Sequence, residues 1–168
     1  MKPYTIAYTQ KEAGFKVTTD EEILYVKMSD ATHSLIGRLK KDLVVEGKDN
    51  VILADTAVKL MSKLHQMFSG TVKFESGDSM VFDLSKAKYI RRRFKNKKIA
   101  IFYKFKEELN ALKKVFKESL CTELQDFNST NQNIALQIVS GREGISLRKA
   151  HALVYYNIDF SATSYWQS

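Results

Sequence analysis

The stretch Lys98-Ile99-Ala100-Ile101-Phe102-Tyr103-Lys104-Phe105 decides the fold class. Its central apolar run has the length of a strand and no polar alternation. Such a run suits a parallel strand covered on both faces. Two further segments of the same kind follow, Ile134-Ala135-Leu136-Gln137-Ile138-Val139 and Ala152-Leu153-Val154-Tyr155-Tyr156. Between the first and second, the pattern predicts a helix from Phe105 to Leu120, with Leu109, Leu112, Val115 and Phe116 on one stripe. Phe127-Asn128-Ser129-Thr130-Asn131 is polar and turn-rich. A short helical piece is expected near Ser146, carrying Leu147 and Ala150. Strand, helix, strand, short helix, strand implies an α/β fold: an open parallel sheet flanked by helices.

Upstream, Ile23-Leu24-Tyr25-Val26-Lys27-Met28 reads as a strand. Ser29 then offers an N-cap to a helix carrying Leu35, Ile36 and Leu39. Glu46-Gly47-Lys48-Asp49-Asn50 reads as a loop. Ala57, Leu60, Met61, Leu64 and Met67-Phe68 recur at helical spacing and stop near Gly70. Thr71-Val72-Lys73-Phe74 and Met80-Val81-Phe82 flank a Gly-containing turn, the signature of a hairpin. Ser85 can cap a third helix, with Ala87, Ile90 and Phe94 inward. The expected organisation is an α-rich, hairpin-bearing extension over residues 1–84, docked on the sheet domain of residues 85–168.

The chain has 168 residues and a formal net charge of +8, with 44% hydrophobic and 27% charged residues. That is a globular composition large enough for one real core. A single cysteine, Cys121, excludes an intramolecular disulfide and a multi-thiolate zinc site. No apolar run has the length of a membrane span and the N-terminus has no signal-peptide core, so a cytoplasmic, non-membrane protein is expected. Charge is unevenly distributed. Residues 86–117 hold thirteen Lys or Arg against Glu107 and Glu108, while the rest of the chain is slightly acidic. A block of this kind attracts polyanions, phosphate backbones above all, and can also be a solvated helix face. Arg91-Arg92-Arg93-Phe94-Lys95-Asn96-Lys97-Lys98 matches a nuclear import signal in composition, but it joins a helix to a buried strand.

Catalytic motifs are missing. Gly47-Lys48 is the one Gly-Lys pair; Asp42 and Asp49 stand where a phosphate loop needs Gly and Ser or Thr. Asp20-Glu21-Glu22 follows Thr18-Thr19, not the apolar strand of a magnesium-binding acidic box. His33, His65 and His151 lack neighbours at ligand spacing and read as helix-surface or strand-end residues. Cys121 has no histidine partner in sequence. The loop Ser140-Gly141-Arg142-Glu143-Gly144 stands apart. It follows a buried strand at its carboxyl end, where open α/β sheets bind ligands, and its glycines let amides approach an anion. A tight turn needing positive φ would use the same glycines.

From Ser85 onward the chain resembles the C-terminal RecA-like lobe of superfamily two helicases, closest to the Snf-type group. Ser85-Lys86-Ala87-Lys88 resembles the helix that opens the lobe. Residues 98–105 resemble motif IV, and Phe127-Asn128 the pair preceding the next strand. Ile138-Val139-Ser140-Gly141-Arg142-Glu143-Gly144-Ile145-Ser146-Leu147 resembles motif V, with Asn in the family where Ser146 stands. Tyr165-Trp166-Gln167 resembles the entry to motif VI. Met28-Ser29-Asp30 and Lys63-Leu64-His65-Gln66-Met67 are similar to the segment linking the two lobes. The resemblance implies a lobe of an ATP-dependent helicase or DNA translocase. It puts nucleic-acid contacts on Lys104, Ser140, Gly141 and Arg142, with Arg91, Arg92 and Arg93 adding charge. It puts nucleotide contacts on Glu143, Gly144 and Ser146. ATP and Mg2+ would be held mainly by a second, N-terminal ATPase lobe, the expected partner besides DNA. The motif VI arginines are not among these residues, so the chain is expected to be a fragment inactive as an ATPase alone. The residues themselves leave open a stand-alone basic nucleic-acid-binding module and an interaction domain for an acidic protein.

Overall fold

The computed structural model describes residues 20–138 and 145–158. The three apolar runs form parallel neighbours in one sheet, as expected. With a fourth short strand the order is β6 (Leu120–Cys121), β7 (Asn133–Gln137), β5 (Ile99–Tyr103), β8 (Ala152–Tyr155). Register aligns Ile101 with Ala135 and Val154, and Ala100 with Ile134 and Leu153.

Strand alternation then sorts the core into two layers. Ile99, Ile101, Ala135 and Val154 pack with Ala87 and Ile90 of α3 (Ser85–Arg93) and Leu112 and Phe116 of α4 (Lys106–Phe116). Ala100 and Ile134 turn to the other face. There they meet Phe127 of α5 (Leu124–Ser129), with Leu147 and Ala150 alongside. Both faces are covered, so β5 carries four fully buried residues in its five. This is why the run has no polar alternation.

The first half has a core of its own. Ser29 caps α1 (Asp30–Asp42) by accepting from Thr32 N at 3.2 Å. Ile36 and Leu39 pack with Val45 and Ile52 of the hairpin β1 (Val44–Glu46) and β2 (Val51–Leu53). Met67 of α2 (Ala57–Met67) and Val72 complete the cluster, Leu60 and Leu64 lying against it, while Met61 and Phe68 face outward. The second hairpin, β3 (Thr71–Lys73) with β4 (Ser79–Val81), is antiparallel as expected. Gly70 starts it at φ +81°, and a Cβ there would fall 2.1 Å from the Asp83 carbonyl oxygen. Only glycine fits that backbone.

Several local expectations are corrected. Residues 23–28 form no strand: Ile23 and Tyr25 are exposed and have no ladder partner among the described residues, and only Met28 is buried. Hairpin β1–β2 brackets what reads as a plain loop. Residues 124–129 are helical where turns are expected, because Phe127 is fully buried against the sheet. The piece after Ser146 is a single turn closed by Ala150 N donating to Leu147 O at 2.8 Å. Helix α4 stops at Phe116 and continues only as a 3-10 turn, with Lys117 at φ 51°. Ser85 is the first helical residue of α3 and not its cap. Leu84 holds the cap position, and the preceding Asp83 accepts from Ser85 N through Oδ1 at 2.7 Å.

Candidate functional site

In a parallel sheet the helices run back against the strands, so strand exits share an edge with helix N-termini. The exit of β5 leads into α4 on one face. The connection that leaves β7 packs Leu147 and Ala150 on the other. Adjacent strands whose connections leave to opposite faces open a crevice between their carboxyl ends. Lys104 stands at this point, half-buried, directly after β5. Ile138 N donates to Tyr103 O at 2.8 Å and closes the floor. Ser140, Gly141, Arg142, Glu143 and Gly144 lie outside the described residues. Ser146 is described and exposed.

Beside Lys104 sits a buried polar cluster that the sequence does not announce. Glu108, in the first turn of α4, is fully buried. Its Oε2 accepts from Lys104 N at 2.7 Å and Phe105 N at 2.9 Å. Its Oε1 accepts from Asn157 Nδ2 at 2.8 Å. Asn157 Oδ1 lies 2.5 Å from His65 Nε2, and the His65 ring meets Phe105 edge-on at 5.3 Å. His65 is therefore not a plain helix-surface residue: it links α2 to the end of β8. A carboxylate at a helix N-terminus is favourable, since amide donors and helix dipole both point at it. Here that position is filled from within, so a phosphate could not use the amides of Lys104 and Phe105 without displacing Glu108.

Lys86 and Tyr156 extend the junction. Lys86 Nζ donates to Tyr156 O at 2.8 Å and lies 5.3 Å from the centre of its ring. Burial pushes the Lys86 ammonium below its usual range, and the charge of Glu108 offsets part of this. Tyr156 is buried and its hydroxyl donates to Ser69 O at 3.1 Å. Burial, then the charges of Glu108 and Asp83, push its phenol well above the ordinary value. Asp83 is the second hub. Burial alone would raise its carboxyl, but bonds from Ser85, Thr32 and Ser29 hold it well below the usual carboxylate range. Cys121 is buried, and burial raises its thiol, which makes it a poor nucleophile.

The arginines lie elsewhere. Helix α3 runs antiparallel to β5, so Arg91, Arg92 and Arg93 emerge at the amino edge of the sheet, about 15 Å of strand away from Lys104. The charge expected to act together is thus split between two edges. At the amino edge an open cleft of about 790 Å³ is lined by Lys88, Arg91, Arg92, Lys95, Lys97 and Lys98, with Asn96, Asn131 and Asn133 among its neutral groups. Arg93 turns away to pair with Glu22 at 3.3 Å.

Among the described residues no cluster of three His, Cys, Asp or Glu could hold a metal ion, and both Glu108 oxygens are committed. No helix among the described residues is long and apolar enough to cross a membrane. No protein-family model matches the chain, and no curated protein matches it significantly.

Proposed function

We propose that this chain is the second lobe of an ATP-dependent helicase or DNA translocase, gripping a nucleic-acid backbone at the carboxyl edge of its sheet. The observation that carries the reading is the parallel order β6-β7-β5-β8, with β5 and β7 sending their connections to opposite faces. Open sheets bind ligands at such a point, and Lys104 stands there, directly after the strand whose sequence resembles motif IV. The motif V-like residues follow β7 in sequence. The lobe's own contribution is positional: Lys104, Ser140, Gly141 and Arg142 hold phosphates. By the same resemblance, Glu143, Gly144 and Ser146 would contact a nucleotide whose phosphates and Mg2+ the other lobe holds.

A filter-binding titration of the chain against single-stranded and duplex DNA tests this. Expected is an affinity that falls with salt, and a log–log slope reduced by about two in Lys104→Gln/Arg142→Gln. Binding that ignores salt, or a slope unchanged in the double variant, overturns the reading.

A further inference from the structure

The cleft at the amino edge has more positive charge than the fold itself requires. In a sheet of this kind helix C-termini gather at the amino edge, each with unpaired carbonyls and a partial negative charge. Some of the cations serve them. Arg91 donates to Val115 O in the last turn of α4 at 2.6 Å, over the ring of Phe116. Lys98 donates to Phe127 O and, at 2.6 Å, to Thr130 O at the end of α5. Three helix ends amount to about 1.5 negative charges. Among the described residues six cations line the cleft, and no acidic residue does. Lys88, Arg92, Lys95 and Lys97 are exposed and make no ion pair among the described residues. They are surplus to the helix ends and converge on one concavity.

We propose that this cleft is a second nucleic-acid site, which holds a phosphodiester backbone independently of the carboxyl edge. Its chemistry favours phosphate over an acidic protein. Protein partners need an apolar or aromatic anchor at the centre of the contact. Here Phe116 is buried, and Phe94 and Val115 are half-covered, so no such anchor is presented. The remaining lining is neutral and hydrogen-bonding, from Asn96, Ser119, Asn131 and Asn133. Cations interspersed with amides and hydroxyls, open to water, are what a backbone contact uses. The contacts proposed are to phosphate, so they carry no sequence information. Because the two sites sit at opposite ends of the strands, this one engages a different stretch of the same polymer.

The test is fluorescence anisotropy with a labelled DNA duplex of about 20 base pairs, set beside a poly-glutamate chain of similar charge. Lys88→Gln/Lys95→Gln/Lys97→Gln is expected to weaken duplex binding at least about tenfold and to cut the salt slope by about 2.7. Lys104→Gln/Arg142→Gln leaves the cleft's contribution intact, so a loss in one set and not the other assigns the edge. Wild-type protein gives a second readout that needs no variant. Duplex should protect Lys88, Lys95 and Lys97 from acetylation, relative to Lys48 and Lys59. Duplex affinity within twofold of wild type in the triple variant overturns the proposal. So does unaltered acetylation of those three lysines, or poly-glutamate binding as tight as DNA binding.

Discussion

The two edges of the parallel sheet treat charge in opposite ways. At the carboxyl edge, Glu108 binds two amides and Asn157, Asn157 binds His65, and Lys86 binds Tyr156 O. These groups are buried or half-buried and spend their bonding on one another. At the amino edge, Lys88, Arg92, Lys95 and Lys97 are exposed and pair with no acid among the described residues. The first edge is costly to disturb because each buried partner is stranded when its mate is removed. The second costs the fold almost nothing to disturb, and this leaves it available to a ligand. The polar cluster also explains how the two halves stay together: His65 and Ser69 come from the first core, Glu108, Tyr156 and Asn157 from the second.

The largest effect is therefore expected at Glu108. Glu108→Ala orphans the amides of Lys104 and Phe105 and the amide nitrogen of Asn157, all at a buried site. Loss of a charged acceptor from such a site costs about 4 kcal/mol. Urea unfolding should show a lowered midpoint with an unchanged slope. A loss under about 1 kcal/mol would mean that water replaces the carboxylate and that the edge is not closed.

Acid separates the halves more gently, through Asp83. Its carboxyl is held well below the usual range when folded and is ordinary when unfolded. A depressed folded value adds stability that is complete above the unfolded value, and falling pH removes it. The loss is expected as pH drops below about 4 and to amount to about 2 kcal/mol. Thermal unfolding across that range should be steeper in wild type than in Asp83→Asn, where the titrating group is gone. Parallel curves would remove Asp83 as the acid-sensitive joint between Ser29, Thr32 and α3.

What could be read in advance follows from how far apart the interacting residues lie. Ile99–Tyr103 announces itself because covering on both faces erases alternation within five residues. Hairpin β1–β2 does not, because only Leu43 separates α1 from Val44, so the apolar residues of β1 read on from the helical stripe. Residues 23–28 mislead in the other direction: their β-branched and aromatic content suits a strand, but no neighbour among the described residues offers a ladder. Phe127 hides a helix inside a polar stretch, since one buried ring outweighs four turn-forming neighbours. At the site, the position of Lys104 directly after β5 follows from the apolar run that precedes it. The cluster around Glu108 depends on Asn157, 49 residues away, and on His65 beyond it, a juxtaposition no local pattern encodes. The separation of Arg91–Arg93 from Lys104 was legible: a helix joined to β5 by the short turn 94–98 must end at that strand's amino edge.

The smallest effect is the one the comparison needs most. Neutralising Lys95 and Lys97 together removes two exposed cations that have no partner among the described residues, from the turn between α3 and β5. Stability should change by less than about 0.5 kcal/mol, with any change toward greater stability, because like charges are being thinned. The same urea measurement used for Glu108 decides it. If Lys95→Gln/Lys97→Gln instead lowered the midpoint as a buried-pair mutation does, these lysines would be holding helix ends like Arg91 and Lys98. The surplus that distinguishes the amino edge would then vanish. A stability change near zero together with weakened DNA binding is the pairing that only an uncommitted cationic surface gives. In a closed edge the two quantities fall together, because the groups that would touch a ligand are the groups that hold the fold.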